Sequence, residues 1–169
     1  MTSGRRQRIA AYALLTDTQD RVLLVKAAPG DSGRWFLPGG GVDFGEDPEA
    51  GLRREVEEET GQVVADLRLD RVLSDVGDVE GSSLHSIRII YRAWLAEERT
   101  LRDEAPGGST VQVHWIPRQD VAELDTAPFV PWALEALGSR KSPVGGPPES
   151  SKGPPASDAD VRAEPSPGA

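Results

Sequence analysis

The sequence contains no cysteine, only three lysines and few aromatic residues, and it has no long apolar run. The absence of cysteine removes disulfides and thiolate metal ligands from consideration and fits a reducing compartment. No stretch is long enough to span a membrane, and the N-terminus lacks the apolar core of a signal peptide. We therefore expect a cytoplasmic protein without a membrane partner.

Acidic residues outnumber basic ones in this chain, 28 to 19. The 169 residues carry a formal net charge of −9, whereas binding to a nucleic-acid backbone needs a basic surface. The charge balance therefore argues against a nucleic-acid partner. The length suits one domain of ordinary size, large enough to bury a core.

The last part of the chain differs from the rest in composition. From residue 139 to residue 169 it is rich in proline, glycine and serine and has few bulky apolar side chains. Such a segment cannot bury enough surface to offset the entropy of ordering it. We expect one folded domain over residues 5–138 and a disordered tail over residues 139–169. An interaction role for the tail is the weaker alternative, because it has no P-x-x-P motif flanked by arginine.

Apolar periodicity and turn residues predict a mixed domain of strands and helices. The predicted strands or β-rich segments are Arg8–Thr16, Val22–Lys26, Trp35–Leu37, Val63–Asp75, Ser86–Ala96 and Val111–Ile116. The predicted helices are Pro48–Thr60, Asp120–Leu124 and Phe129–Leu137. Composition and spacing alone therefore indicate the α+β class.

The most informative segment is an acidic helix that follows a glycine-rich turn. From Gly40 to Gly61 the chain reads GGVDFGEDPEAGLRREVEEETG. Glu55, Glu58 and Glu59 lie at i, i+3 and i+4, so on a helix their carboxylates share one face and repel one another. Something positive should sit among them, and hard oxygen ligands suit Mg²⁺ or Mn²⁺. The alternative is a solvated acidic face without a ligand.

Local signals set the ends of this helix. Asp47 suits the N-cap position and Pro48 the first helical position, while Gly61 suits the C-terminal end. We expect the sheet-facing side to consist of three apolar residues, namely Ala50, Leu52 and Val56. The preceding run RWFLPGGG predicts a strand-like stretch followed by a glycine loop that can approach a metal or a phosphate closely.

This segment resembles the signature of the Nudix (MutT-like) hydrolases, G-x5-E-x7-R-E-U-x-E-E-x-G, in which U is a bulky apolar residue. The fixed positions are occupied by Gly40, Glu46, Arg54, Glu55, Val56, Glu58, Glu59 and Gly61. One position departs from the pattern, because Gln62 follows Gly61 where an apolar residue is usual. The resemblance implies an α/β/α sandwich with a mixed β-sheet and a loop–helix–loop box at one side.

The resemblance also implies roles for individual residues. The expected metal ligands are the Gly40 carbonyl and the carboxylates of Glu55, Glu58 and Glu59. Arg54 would orient Glu55, and Glu46 would support the loop. A further acid outside the box often completes such sites, as a ligand or a general base. Our candidate is Glu104, with Asp103 as the fallback and an exposed loop acid as the alternative.

The reaction implied is metal-dependent hydrolysis of a nucleoside diphosphate linked to another group. A (deoxy)nucleoside triphosphate pyrophosphohydrolase is our leading interpretation, with Trp35, Phe36 and Gly39 as candidate substrate-binding residues. The alternatives are hydrolysis of an ADP-sugar, a dinucleotide polyphosphate or another organic diphosphate. A catalytically silent ligand-binding regulator is a third possibility, which intact glutamates disfavour. The resemblance also allows for a homodimer, since many relatives dimerise.

Overall fold

The computed structural model describes residues 5–29, 32–79, 81–102 and 108–138. The proposed tail over residues 139–169 and the candidate acids Asp103 and Glu104 lie outside these ranges. Within the described part of the chain, no helix is both long and apolar enough to cross a membrane.

The described residues form seven strands, two α-helices and one 3-10 helix. The strands are β1 (Arg5–Leu15), β2 (Arg21–Ala27), β3 (Trp35–Phe36), β4 (Gly39–Gly41), β5 (Val64–Val79), β6 (Ser82–Leu95) and β7 (Thr110–Pro117). The α-helices are α1 (Pro48–Thr60) and α2 (Phe129–Gly138), and the 3-10 helix spans Arg118–Glu123. The bounds of α1 confirm the prediction from its capping residues.

The strands form two sheets. One has four strands in the order β4-β1-β6-β5, and the other has three in the order β3-β2-β7. β1 runs parallel to β6 and antiparallel to β4, and β5 and β6 form a long antiparallel pair. The four-stranded sheet is therefore mixed, as expected from the resemblance.

Two apolar clusters hold these layers together. In one, the Leu52 and Val56 side chains of α1 pack on residues of β1 and β2. In the other, residues of α2 and the 3-10 helix pack on the opposite side of the same two strands. Because β1 and β2 contribute alternate residues to both clusters, the strands form a central layer between helices.

The structure corrects two local expectations. The run Gly39–Gly41 is not a free loop but a short strand, β4, which pairs with Ala10, Ala11 and Tyr12 of β1. Ala50 is exposed, whereas Leu52 and Val56 are fully buried, so α1 faces the sheet through the latter two. Gly39–Gly41 is a strand because it pairs with the distant strand β1. Ala50 is exposed because of the rotation of α1 about its axis.

Gln62 shows how the chain tolerates its departure from the apolar pattern. Its side chain is fully buried, and its amide group bonds to the backbone at both ends. Its Nε2 donates to the Arg99 carbonyl oxygen at 2.8 Å, and its Oε1 accepts from the Arg99 N–H at 3.0 Å. A buried amide with both polar ends satisfied costs little, and here it ties the segment after β6 to the end of α1.

Candidate active site

The helix α1 is fixed at both ends by its own sequence. The Asp47 side chain accepts hydrogen bonds from the N–H groups of Glu49 and Ala50, which satisfies the first turn. Gly61 ends the helix in the left-handed conformation, with φ of 73°, which glycine adopts without strain. The ends of α1, and therefore its length, are set by residues next to them in the chain.

Strand β4 passes directly beside the glutamates of α1. A Cβ added to Gly40 would lie 2.8 Å from the carboxyl carbon of Glu55. A Cβ on Gly39, where φ is 132°, would lie only 2.2 Å from the Ala11 carbonyl oxygen. Gly39 has no room for a side chain, because its backbone lies against β1, whereas a side chain at Gly40 would require the Glu55 carboxylate to move. The glycines thus bring main-chain groups into the acidic site.

Arg54 links three of the acidic side chains. Its Nε and Nη2 donate to the two carboxylate oxygens of Glu46 at 3.1 and 3.0 Å. Its Nη1 donates to Glu55 Oε1 at 2.9 Å and to Glu58 Oε2 at 3.3 Å. The guanidinium therefore supplies the positive charge among these carboxylates. Although Arg54 and Glu55 are sequence neighbours on a helix, the long arginine side chain folds back far enough to contact Glu55.

These contacts shift the pKa of Glu46 and that of Arg54 in opposite directions. The hydrogen bond from Arg54, followed by one from the Asp43 N–H, holds the pKa of Glu46 below its usual value. Hydrogen bonds to Glu46 and then to Glu55 raise the pKa of Arg54 above its ordinary value. The arginine therefore stays charged, and Glu46 stays ionised through the neutral range.

Glu46 also shapes the loop between β4 and α1. Its Oε2 accepts a hydrogen bond from the Asp43 N–H at 3.0 Å, and its own N–H donates to the Asp43 carbonyl oxygen at 3.0 Å. A Cβ on Gly51 would lie 2.7 Å from Glu46 Oε2, so the glycine leaves space for this carboxylate. Hydrogen bonds from the Asp43 N–H and from Arg54 therefore hold the Glu46 carboxylate, and Gly51 of α1 leaves space for it.

Glu59 lies in a different environment from the other glutamates. It is only 5% exposed, and its two oxygens have separate partners. Oε2 accepts from the Gly39 N–H at 2.8 Å, and Oε1 accepts from the Thr110 hydroxyl at 2.9 Å. Glu59 thus connects α1 to β4 and β7. Glu58, by contrast, has a side chain that is 51% exposed and contacts Arg54.

The donor set fits a hard divalent cation. All of its candidate atoms are oxygens, from carboxylates and from the backbone at Gly40, which is what Mg²⁺ and Mn²⁺ prefer. The missing side chain at Gly40 leaves its main chain against the Glu55 carboxylate. In the described ranges no group of three acidic or histidine side chains is already gathered as a metal site. Glu55 and Glu58 bind Arg54 instead.

The two aromatic substrate-binding candidates pack against other side chains of the protein. Trp35 is buried, and its ring packs 5.8 Å from that of His114 and below the Lys26 ammonium group. Phe36 is partly buried and packs 6.1 Å from the ring of Phe129. Both side chains serve the core in this structure. Gly39, the third substrate-binding candidate, contacts Glu59 through its N–H.

Three residues with site contacts were not predicted from the sequence. Thr110 binds Glu59, and Arg8 lies beside Gly41, where a Cβ would be 3.6 Å from its Nη2. Neither carries a local signal, since both contacts join distant segments. Gly51 did carry one, because a glycine in a helix interior lowers helix stability and usually has a packing reason. Here the reason is Glu46.

The site consists of the glycine strand β4, the loop that follows it and the acidic helix α1, on an α/β/α sandwich. Arg54 binds carboxylates from both the loop and the helix. This combination defines a small α+β protein that presents clustered carboxylates at the edge of a mixed sheet. The model of the NUDIX domain matches residues 6–134. The chain therefore belongs to the Nudix hydrolase family and is MutT-like.

Relatives of known name support this assignment. A putative 8-oxo-dGTP diphosphatase 2 of Mycobacterium tuberculosis is 35% identical over 98 residues, which cover 57% of this chain and 63% of that protein. The chain thus spans less than two thirds of that relative. A MutT-like protein of Streptomyces ambofaciens is 26% identical over 136 residues, 80% of each chain.

Solved structures share the fold. A MutT NUDIX hydrolase from Burkholderia pseudomallei superposes with a TM-score of 0.61 and 25% identity, covering 78% of this chain and 98% of the other. The NUDIX domain of Shewanella oneidensis NrtR, in complex with ADP ribose, superposes with a TM-score of 0.66 and 25% identity. That match covers 79% of this chain and 88% of the other.

Proposed function

We propose that this protein hydrolyses a nucleoside diphosphate linked to another group, and that its preferred substrate is a (deoxy)nucleoside triphosphate. The observation that carries the proposal is the arrangement around Arg54, in which Glu46, Glu55 and Glu58 converge on one guanidinium beside Gly40. The name of the Mycobacterium tuberculosis relative, a putative 8-oxo-dGTP diphosphatase, favours a nucleoside triphosphate.

We assign the metal ligands to Glu55, Glu58, Glu59 and the Gly40 carbonyl. Bound Mg²⁺ or Mn²⁺ would neutralise the diphosphate and lower the pKa of the attacking water. The Gly39 N–H and the Thr110 hydroxyl bind the two oxygens of Glu59 and fix the orientation of its carboxylate. Glu58 is more exposed, and among the described residues a single hydrogen bond of 3.3 Å, from Arg54, restrains it, so it can turn toward a ligand at small cost.

Arg54 has a positioning role in this proposal. Its hydrogen bond to Glu55 fixes one carboxylate oxygen, while its paired bonds to Glu46 anchor the guanidinium to the loop. Bidentate arginine–carboxylate pairs are geometrically specific. The loop that follows Gly41 and the helix that carries Glu55 therefore keep a constant separation, which catalysis by positioned groups requires.

Glu104 remains our candidate for the additional acid. It lies outside the described residues, but the chain on both sides of it contacts the last turn of α1. The Arg102 N–H donates to the Thr60 carbonyl oxygen at 3.1 Å, and the Thr110 hydroxyl binds Glu59. The described residues on either side of Glu104 therefore contact the end of α1 that carries Glu59, which supports a role for Glu104 as a ligand or a general base.

A product-release assay tests the proposal directly. Nucleoside triphosphates including 8-oxo-dGTP, ADP-ribose and dinucleotide polyphosphates would be incubated with the full chain, with and without Mg²⁺ or Mn²⁺. We expect pyrophosphate from a nucleoside triphosphate only when metal is present. Glu58→Gln should abolish turnover while the fold is retained. Release that is equal without metal, or unchanged in Glu58→Gln, would contradict the ligand assignment.

The second candidate is a module that binds ADP-ribose without hydrolysing it. The similarity to the NrtR domain in complex with ADP ribose favours it, although the four charged positions Arg54, Glu55, Glu58 and Glu59 are all intact. Calorimetric binding of ADP-ribose with no product formed over hours, and no turnover of any triphosphate, would select this alternative.

A further inference from the structure

Arg8 lies on the face of the four-stranded sheet that packs against α2. Ala10 and Tyr12 of the same strand belong to the apolar cluster that contains α2, whereas Ala11 belongs to the cluster that contains α1. Side chains alternate between the two faces of a strand, so Arg8 shares the face of Ala10 and Tyr12. Its guanidinium extends over β4, because a Cβ added to Gly41 would lie 3.6 Å from Nη2 and 3.8 Å from Nε.

The glycine strand β4 lies between Arg8 and the acidic helix. β4 is an edge strand of its sheet. On its side away from β1, the Gly39 N–H donates to Glu59 at 2.8 Å, and the Gly41 carbonyl oxygen accepts from Arg54 Nη2 at 3.5 Å. Because glycines carry no side chains, nothing on β4 separates a ligand at this edge from the guanidinium of Arg8.

The hydroxyl of Tyr12 lies among charges of both signs. Burial is the main reason that the pKa of Tyr12 is raised. The guanidinium groups of Arg8 and Arg88 oppose this increase, whereas the Glu59 carboxylate adds to it. Tyr12 is paired with Gly39 in the strand register. Arg8 and the proposed metal ligand Glu59 therefore act on the same hydroxyl, which places the positive charge of Arg8 within electrostatic reach of the site.

Arg8 and Arg88 differ in how their charges are balanced. Arg88 forms an ion pair with Asp75, and its Cζ lies 4.9 Å from the ring centroid of Phe129. Asp75 is in the same row as Arg8, since both are paired with Ser86 from neighbouring strands, but it binds Arg88. Arg8 is exposed, and no acidic side chain in the described ranges forms an ion pair with it. Its charge is therefore available to an anionic ligand.

A polyanionic ligand at this site needs a further cation. The carboxylates of Glu55, Glu58 and Glu59 repel phosphate, and metal ions offset that repulsion best for the phosphates that they contact. Arg54 already donates to Glu55 and Glu58, so its charge is balanced within the protein. Arginine binds phosphate oxygens through paired N–H groups. Arg8 therefore has the charge, the donors and the location to bind a phosphate next to those that metal ions would contact.

We propose that Arg8 binds a phosphate group of the substrate beyond the diphosphate held at the metal ions, and thereby favours nucleoside triphosphates over diphosphates linked to an uncharged group. The inference rests on the proposed function, because it concerns the same site and the same class of substrate. Arg8 contacts a part of the substrate that does not react, so its loss weakens binding more than it slows the chemical step.

Calorimetric titration of the full chain with Mg²⁺ tests the proposal, using a non-hydrolysable nucleoside triphosphate and the matching nucleoside diphosphate as probes. Arg8→Gln should weaken triphosphate binding at least about tenfold, the usual effect of losing a charge-assisted hydrogen bond. It should weaken diphosphate binding less than about twofold, since the metal ions hold both of those phosphates. Arg8→Lys keeps the charge and should stay within about threefold of the wild type. Added salt should reduce the loss in Arg8→Gln.

Arg5→Gln is the matched control. Arg5 is also an exposed arginine of β1, but three residues of alternation place its side chain on the opposite face from Arg8. Its substitution should leave the binding of both probes within about twofold of the wild type. Circular dichroism would verify that every variant is folded.

The outcomes separate this inference from the proposed function. Triphosphate hydrolysis by the wild type, with unchanged triphosphate binding in Arg8→Gln, would overturn the role of Arg8 and leave the proposed function standing. The expected binding losses without hydrolysis of any substrate would support the role of Arg8 and contradict the proposed function. Equal losses for the two probes, an equal loss in Arg5→Gln, or a wild-type chain that binds no triphosphate would each overturn the inference.

Discussion

The carboxylates on the two sides of α1 lie in different environments. Toward the loop, Glu55 and Glu58 contact one charged and partly exposed partner, Arg54. Toward β4 and β7, Glu59 is buried and accepts hydrogen bonds from a backbone N–H and a hydroxyl. Within one turn of the same helix, Glu58 is thus half-exposed beside a charged partner, whereas Glu59 is enclosed and accepts hydrogen bonds from a backbone N–H and a hydroxyl.

This difference indicates a division of tasks. A carboxylate held by neutral donors in a buried position is expensive to remove, because its donors would lose their acceptor. A carboxylate paired with an arginine near solvent contributes little to stability, and it can exchange one cation for another. We infer that Glu59 fixes the geometry of the site and that Glu58 responds to the ligand.

The two neighbouring glycines of β4 provide the strongest test of this contrast. Gly39→Ala should destabilise the protein by at least about 3 kcal/mol, since its Cβ would overlap the backbone of β1 at a positive φ. Gly40→Ala meets only the flexible end of Glu55, so it should cost less than about 1 kcal/mol. The turnover of the Gly40→Ala variant should nevertheless fall at least about tenfold, because the added Cβ displaces the Glu55 carboxylate. Urea unfolding and the product-release assay measure the two effects, and equal destabilisation by both substitutions would refute the contrast.

The paired substitutions Glu59→Gln and Glu58→Gln separate stability from activity. Both should reduce turnover at least about 100-fold. Glu59→Gln should also lower the free energy of unfolding by about 1 to 3 kcal/mol, because an amide nitrogen would face one of its two donors. Glu58→Gln should change it by less than about 0.5 kcal/mol. If thermal unfolding showed the reverse order of stability, the assignment of roles would be wrong.

Arg54→Lys tests the geometry of the charged side. Lysine keeps the charge but cannot form the paired hydrogen bonds to Glu46 while also reaching Glu55. Turnover should fall about 10- to 100-fold. Arg53→Lys is the matched control, because Arg53 donates to the Val64 carbonyl oxygen and contacts none of these acids. A loss of equal size in the control would show that Arg54 acts through general stability.

A second ionic cluster, formed by Asp70 with Arg71 and Arg92, contains none of the proposed ligands and gives the smallest effect. Burial acts to raise the pKa of Asp70, but hydrogen bonds from Arg92 and Arg71 outweigh it and lower that pKa. A lowered folded-state pKa means that the stabilisation is present above the usual aspartate value and disappears as the pH falls through the folded value. Asp70→Asn should therefore cost about 1 kcal/mol at neutral pH. The difference from the wild type should vanish in acid.

The activity of Asp70→Asn completes this comparison. Asp70 lies outside the proposed machinery, so turnover at neutral pH should match that of the wild type. Unfolding measured between neutral and acidic pH would check the stability difference. A difference that widened in acid would contradict the direction of the Asp70 pKa.

Local sequence signals predicted the acidic helix well. Asp47, Pro48 and Gly61 define both ends of α1, because capping depends only on neighbouring residues. The central strands were also predicted, within a few residues, from their apolar character. β4 was missed, since Gly39–Gly41 has no strand propensity and is a strand only because β1 pairs with it.

The arrangement inside the site could be predicted only in part. The spacing of Glu55, Glu58 and Glu59 indicated one acidic face, but it could not tell that Glu59 would turn toward Gly39 and Thr110. That contact joins residues 51 positions apart. The need for a positive partner followed from repulsion alone, while the choice of Arg54 depended on how a long side chain folds across the helix.

Calorimetric titration with Mn²⁺ and Mg²⁺, in the presence of a non-hydrolysable nucleotide, tests the central claim most directly. We predict that the wild-type chain binds the cation and that Glu58→Gln binds it at least about tenfold more weakly. Glu57→Gln, the adjacent exposed glutamate, should behave as the wild type. No heat of binding in the wild type, or equal affinity in all three proteins, would contradict a metal site built on these carboxylates.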